Sequence, residues 1–316
     1  YNLIPLTIDK IANAFKIPVE PIDPHDEITE MSNNMDILAR AVKSFYDMGL
    51  NRMTIGSCAL HDYKQTITEN KFRIFFPAST KYDHDIRESY RGGYCYLEPE
   101  FEGKTLKNGV VLDINSTHPF SMYDCELPHG TPLFFKGEYK EDSLYPLYIQ
   151  MFRCQFELKK DHIPTVTMKF GSDFGTNEYL TSAGGVEKTL YLTSVDLEMF
   201  KKHYDTFDTI EYIGGWKFKG VTGLFDEYIE KWMEVKSQSR KNENWEWYEI
   251  AKRMLNALYG KLGTAPQVKS KIPYINKDGV VNYKDDTLKQ IEGVYLPMAT
   301  FITSYSRKRI IEAFQK

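Results

Sequence analysis

Lys252, Asn256 and Tyr259 recur at i, i+4 and i+7 within Lys252-Arg253-Met254-Leu255-Asn256-Ala257-Leu258-Tyr259-Gly260-Lys261. On a helix that spacing puts all three on one face. A cation, an amide and an aromatic ring on one stripe can hold three parts of a nucleotide, the lysine on the phosphates and the ring against base or sugar. Gly260 follows, where a helix must end or approach something closely. The same pattern also suits an amphipathic core helix that finishes in glycine. A second signal is acidic. Gly109-Val110-Val111-Leu112-Asp113 is a short apolar run ending in a carboxylate, and Ile114-Asn115-Ser116-Thr117-His118-Pro119 turns the chain toward a helix near Phe120–Cys125. The run reads as a buried strand. A charge at its tip needs a partner, which a hard cation such as magnesium supplies; capping of the following turn is the alternative.

Around these residues the chain reads as an α+β assembly rather than a regular βαβ alternation. Asp26–Met48 and Leu60–Asn70 are predicted helices, Val110–Ile114 a strand, the stretch onward to Gly220 mixed and β-rich, and Pro297 the start of a further helix. Tyr145–Glu157 and Thr189–Leu192 are its strand-like, aromatic-containing runs. Ile272–Val281 holds two strand-like pieces around Asp278-Gly279, a hairpin signal. No internal repeat or low-complexity linker interrupts this order.

At 316 residues and 42% hydrophobic content, the chain can build a large core or several subdomains. The net charge of −4 carries no global basic signal. Nucleic acid would have to be met by local patches such as Arg87–Arg91, Arg240–Lys241 and Arg307–Arg309, each of which equally suits a solvated face. The 22 tyrosines suit stacking on unpaired bases and sheet cores alike. Cys58, Cys95, Cys125 and Cys154 form no Cys-x-x-Cys pair, which argues against zinc and for reduced, cytosolic thiols. No run of about 18 apolar residues exists, so no membrane span or membrane partner is expected.

Asp113-x-x-Ser116-x-x-Pro119 followed by Lys252-x-x-x-Asn256-x-x-Tyr259-Gly260 resembles, in order and content, two motifs of the family B DNA polymerases, in their protein-primed, phage-type branch. The similarity runs from about Asp26 to the C-terminus, through Gly49-Leu50-Asn51-Arg52-Met53-Thr54, Tyr90-Arg91-Gly92-Gly93, Asn177-Glu178-Tyr179-Leu180 and Phe301-Ile302-Thr303. The resemblance implies that Asp113 binds both catalytic metal ions, magnesium or manganese, with the Ile114 carbonyl as a further ligand. Two ions would clamp the attacking 3′-hydroxyl and the leaving pyrophosphate. It implies that Lys252 and Lys236 contact the incoming triphosphate, with Asn256, Tyr259 and His118 also at the nucleotide. Lys236 would lie near the end of a helix over Thr222–Ser237, folded back by a polar turn around Arg240–Asn244; an ordinary solvated helix-end lysine is the other reading. Tyr90, Arg91, Gly92, Gly93, Ser116, Thr303 and Arg307 would contact DNA, the last two within Thr303-Ser304-Tyr305-Ser306-Arg307, which resembles a Thr-x-x-(Ala/Gly)-Arg motif.

The implied organisation is an exonuclease remnant over residues 1–55, palm over 56–125, a first protein-priming insertion over 126–221, fingers over 222–264, a second insertion over 265–296 and further palm over 297–316. In the family the first insertion helps bind the terminal protein that supplies the priming hydroxyl. The second closes a ring around downstream template. The implied partners are primer-template DNA, a deoxynucleoside triphosphate and terminal protein, inside a bacterial host cell.

Several positions depart from the pattern. The family's Tyr-x-Asp-Thr-Asp-Ser motif, expected soon after Ile310–Phe314, is absent before Lys316. Its second metal-binding aspartate is therefore missing, and the chain alone is expected not to polymerise DNA. A second chain carrying that motif would be a further partner. The proofreading motif Tyr-x-x-x-Asp falls on Glu30 and Asn34, or with a two-residue slip on Ser32 and Asp36, so proofreading is expected to be absent. His118 replaces the usual tyrosine under the sugar, and Ser306 occupies the small-residue position. A truncated gene product, an expression fragment or half of a split enzyme all fit, as does a non-catalytic module binding template or terminal protein.

Overall fold

The computed structural model describes residues 7–19, 26–77, 82–111, 114–169, 177–264, 267–268, 271–277, 279–285, 289–290 and 294–315. In chain order the helices and strands begin with α1 (Ile8–Phe15), α2 (Glu27–Asp47), α3 (Ile55–Thr66), α4 (Glu69–Phe75), α5 (Asp83–Ser89), α6 (Thr117–Asp124), β1 (Leu127–Lys136) and β2 (Leu147–Leu158). Then come β3 (Thr167–Lys169), β4 (Asn177–Tyr179), β5 (Lys188–Thr193), α7 (Ser194–His203), β6 (Tyr204–Val221), α8 (Asp226–Lys241) and α9 (Trp245–Leu262). The short strands β7 (Gln267–Val268), β8 (Lys271–Ile275), β9 (Val281–Asp285) and β10 (Lys289–Gln290) precede α10 (Leu296–Phe314). Two compact units divide the chain: Tyr1–Glu69 with Phe225–Lys261, and Asn70–Leu224 with Leu262–Lys316.

The first unit is helical. Asp26 starts α2 by accepting a hydrogen bond from the Thr29 amide (3.1 Å), and Thr54 caps α3 through the Ser57 amide (3.2 Å). The helix expected at Leu60–Asn70 therefore begins at Ile55 and stops at Thr66, because Ile67 is extended. The helix expected at Thr222–Ser237 begins at Asp226, since Gly223 turns the chain at φ 73°, and it continues to Lys241. The reversal into α9 takes only Asn242–Asn244, and the Asn244 side chain accepts the Trp247 amide (3.1 Å). The Tyr63 ring lies against Phe225 (4.8 Å) and Tyr228 (6.0 Å), whose hydroxyl donates to the Met254 carbonyl (2.8 Å). Asp62, almost buried, accepts from Lys231 (2.7 Å) and the Trp232 indole (2.8 Å), which joins α3 to α8 without leaving a bare charge.

The second unit is built on an antiparallel sheet in the order β1-β6-β2-β5. Burial alternates along Leu147–Phe156, as a strand covered on one face demands. Phe152, Phe156, Leu190 and Leu192 meet Leu197 and Phe200 of α7 in a buried cluster. At Gly215 the backbone runs against the Ile149 carbonyl, leaving no room for a Cβ. The helix α10 is buried along most of its length, although it carries Thr300, Thr303, Ser304 and Ser306. Thr300, Thr303 and Ser306 each donate to a carbonyl one turn back, at 2.9–3.1 Å, and Ser304 donates to the Asp196 carboxylate (2.7 Å), so they enter the core without an unsatisfied donor.

One element differs from expectation. Gly109–Val111 forms no strand, and Val110 and Val111 are 85% and 96% exposed. An apolar run becomes a strand only when a neighbour accepts its backbone hydrogen bonds, and none of the described strands pairs with it. Leu112 and Asp113 lie outside the described residues, as does Asp278. The hairpin read around Asp278-Gly279 does form: β8 pairs with β9 from Lys271↔Asp285 to Ile275↔Val281, with Gly279 at φ 75°. Among the described residues no helix is long and apolar enough to cross a membrane.

Candidate nucleic-acid interface

In the first unit, α9 is continuous from Trp245 to Leu262. Its buried stripe is Ala251, Met254, Leu255, Leu258 and Leu262. Helical geometry sets Lys252, Asn256 and Tyr259 on an adjoining face; Lys252 and Asn256 are exposed and Tyr259 half-buried. The Lys252 ammonium lies 3.4 Å from Glu249 one turn earlier, a loose and half-exposed pairing. On α8 the Lys236 ammonium stands 5.6 Å from the centre of the Tyr248 ring of α9. Both lysines thus sit on the helical hairpin that the sequence implied. Gly260 does not end the helix, which continues to Leu262, and a Cβ at Gly260 would meet nothing within 4 Å. The chain's own packing gives no reason for a glycine there.

In the second unit, the Tyr90–Gly93 segment follows α5 as irregular backbone. Gly92 and Gly93 are exposed, with open space where a Cβ would stand. Arg91 points inward. Its Nε donates to the Thr167 carbonyl and hydroxyl (both 3.1 Å), and its Nη1 to the carbonyls of Ser89 and Tyr191 (both 3.1 Å). Burial pushes this guanidinium down to about 10, against the attraction of Asp196. Tyr90 is half-buried, with its hydroxyl close to Gly263. A small cavity beside the loop is bounded by Arg91, Gly92, Cys95, Tyr179 and Arg307.

Thr303 and Arg307 are not surface groups. Thr303 is 1% exposed and returns its hydroxyl to α10. Arg307 is 3% exposed: its Nη1 donates to the carbonyls of Arg91 and Gly92 (both 2.8 Å), and its Nε and Nη2 to Asp196 (3.2 and 2.6 Å). Both side chains are thus engaged within the protein in this structure. A buried guanidinium must be paired, and these partners use its donors inside the protein; Arg307 shapes the Tyr90–Gly93 loop from beneath. Arg91 likewise braces the loop, leaving its backbone and the two glycines as the surface presented.

Asp196 is the residue that the sequence reading missed. It belongs to Thr193-Ser194-Val195-Asp196, whose Thr193 hydroxyl caps α7 through the Asp196 amide (3.1 Å) and bonds the Asp196 carboxylate (2.9 Å). That pattern signals a helix start and gives no hint of Arg307, which is 111 positions away.

On α6, His118 is half-buried, and its Nδ1 lies 2.9 Å from the Ser306 hydroxyl. Burial lowers its basicity, and the nearby charge of Arg307 lowers it further. Ser116 precedes α6 in the left-handed region at φ 52°, an uncommon conformation for a residue with a side chain. The Ile114 carbonyl accepts the Thr117 hydroxyl (3.0 Å). Among the described residues no group of three or more His, Cys, Asp or Glu could hold a metal ion. One carboxylate, Asp113, and one carbonyl, Ile114, do not fit two magnesium ions, since each takes about six oxygen ligands.

The described residues thus hold a helical hairpin carrying Lys236 and Lys252 in one unit and an antiparallel four-stranded sheet in the other. Residues 25–315 match the profile of the family described as DNA polymerase type B, organellar and viral. The chain belongs to that family. It is 40% identical to the DNA polymerase of Bacillus phage phi29 over 326 aligned positions, covering 99% of this chain and 56% of that protein. It is 31% identical to the DNA polymerase of Streptococcus phage Cp-1, covering 100% of this chain and 58% of the relative. The fold superposes on the phi29 DNA polymerase complexed with primer-template DNA and incoming nucleotide substrates with a TM-score of 0.88 at 40% identity, covering 98% of this chain and 56% of that one. The chain spans little more than half the length of these relatives.

Proposed function

We propose that this chain is part of a protein-primed, template-directed DNA polymerase that copies a phage or plasmid genome within a bacterial host. What carries the reading is the TM-score of 0.88 to a polymerase complexed with DNA and nucleotide, combined with Lys236, Lys252, Asn256 and Tyr259 at their motif positions on one helical hairpin. Lys252 and Lys236 bind the triphosphate of an incoming deoxynucleotide, Asn256 and Tyr259 orient it, and the ring of His118 lies under its sugar. The backbone at Gly92 and Gly93 approaches template phosphates, where an added Cβ would intrude on the ligand rather than on the protein. The division into an exonuclease remnant, palm, fingers and two protein-priming insertions belongs to the same proposal, as does terminal protein as a partner.

A bound magnesium ion would supply Lewis-acid stabilisation of the 3′-hydroxyl and the pyrophosphate. Asp113 and Ile114 would contribute to its binding. Nucleotide binding in the presence of magnesium tests the reading. Lys252→Ala weakens binding roughly tenfold, the worth of a hydrogen bond to a charged group. Absence of binding by the unaltered chain, or equal binding by the variant, removes the nucleotide site.

A further inference from the structure

Two of the positions at which this sequence departs from the family pattern, His118 and Ser306, are 188 residues apart and touch. Ser306 lies on α10, fully buried, and its hydroxyl has three neighbours: the Ile302 carbonyl at 2.9 Å, the Ser121 hydroxyl at 3.2 Å and His118 Nδ1 at 2.9 Å. A hydroxyl has one proton to donate and two lone pairs to accept with. The carbonyl can only accept, so it takes the proton of Ser306. The Ser121 hydroxyl gives its own proton to the Thr117 carbonyl (3.0 Å), so the donor to the Ser306 oxygen is an N–H on His118 Nδ1. Every member is satisfied in this arrangement, as a buried polar chain requires.

We infer that Ser306 is a positioning residue for sugar selection: its hydroxyl, aimed by the Ile302 carbonyl and flanked by Ser121, holds the His118 ring in one tautomer and one tilt. The inference rests on the nucleotide-site reading above. An imidazole is smaller than a phenol and turns about its Cβ–Cγ bond, and a ring that turns is a poor barrier to a 2′-hydroxyl. One hydrogen bond donated to a fully buried, helix-borne hydroxyl removes that freedom. Ser121 and His118 share α6, so the same contact also pins α6 to α10 at the point where the ring emerges.

The test uses the whole chain labelled with ¹⁵N-histidine, with the His118 signal identified by its loss in His118→Gln. Near neutral pH, His118 carries its proton on Nδ1. In Ser306→Ala, which leaves a small residue in place, the proton shifts toward Nε2 while the other histidine signals stay where they were. In parallel, competition between dATP and ATP for the chain with magnesium shows Ser306→Ala lowering the preference for deoxyribose by about fivefold, the worth of one hydrogen bond. His118→Ala with Ser306→Ala is no worse than His118→Ala alone. An Nε2-protonated ring in the unaltered chain, an unmoved tautomer in Ser306→Ala, or losses that add in the double variant each overturn the inference. If neither nucleotide binds, the nucleotide site fails and the sugar-selection role fails with it, while the tautomer result still judges the Ser306–His118 contact separately.

Discussion

Arg307 and Asp196 show how two charges can be buried and still contribute to a binding surface. Burial raises the Asp196 carboxyl, but the charge and hydrogen bonds of Arg307, with those of Ser304 and Arg91, outweigh it and hold the group below its ordinary value. A lowered folded-state value means that the stabilisation is complete above the ordinary carboxylate range and is lost as pH falls through the lowered value. Acid unfolding of the unaltered chain should accordingly steepen below about pH 4, and Asp196→Asn should remove that component. The substitution leaves Arg307 buried without its counter-charge and should cost roughly 3–5 kcal/mol, read from denaturant midpoints. Because Arg307 also holds the carbonyls of Arg91 and Gly92, the same variant should weaken primer-template binding, although Asp196 itself need touch no DNA. Unchanged stability and binding in Asp196→Asn would show that the loop is fixed by other contacts.

Among the elements, α9 carries two demands on one helix: an apolar stripe that packs and an adjoining face that reaches outward. Gly260 serves neither the packing nor the helix end. Its replacement by alanine should stabilise α9 by about 0.5–1 kcal/mol, since glycine is the costlier residue in a helix. If the glycine is there to let a nucleic acid come close, the same Gly260→Ala chain binds primer-template several-fold less tightly while melting at a higher temperature. A gain in stability with unchanged binding would reduce the residue to chance. In α10, three hydroxyls bonded back to their own helix and a fourth bonded to Asp196 let a polar-looking segment pack as core. The DNA contact proposed for Thr303 and Arg307 came from a motif resemblance, and a motif does not say whether a hydroxyl or guanidinium is used inside or outside.

For the molecule as a whole, the net charge of −4 sets no general attraction to nucleic acid, so the proposed binding would rest on local backbone and lysine contacts. Primer-template affinity should fall linearly on logarithmic axes as salt rises, and the slope should be reduced by about one for each phosphate-bound lysine replaced by alanine. An affinity indifferent to salt would contradict phosphate binding.

Much of this protein could be read from short windows of its sequence. The Asp26 cap, the stripe of Lys252, Asn256 and Tyr259, the hairpin flanking Gly279 and the ordered motifs all depend on neighbours within a few positions. Caps, helical faces and tight turns are local, and the sequence specifies them directly. The pairing of Arg307 with Asp196, the inward turn of Arg91, the contact of Ser306 with His118 and the exposure of Val110 and Val111 were not legible that way. Each depends on which distant segment arrives beside it. A buried charge, a hydroxyl's proton and an apolar strand take their roles from the partner that folding supplies.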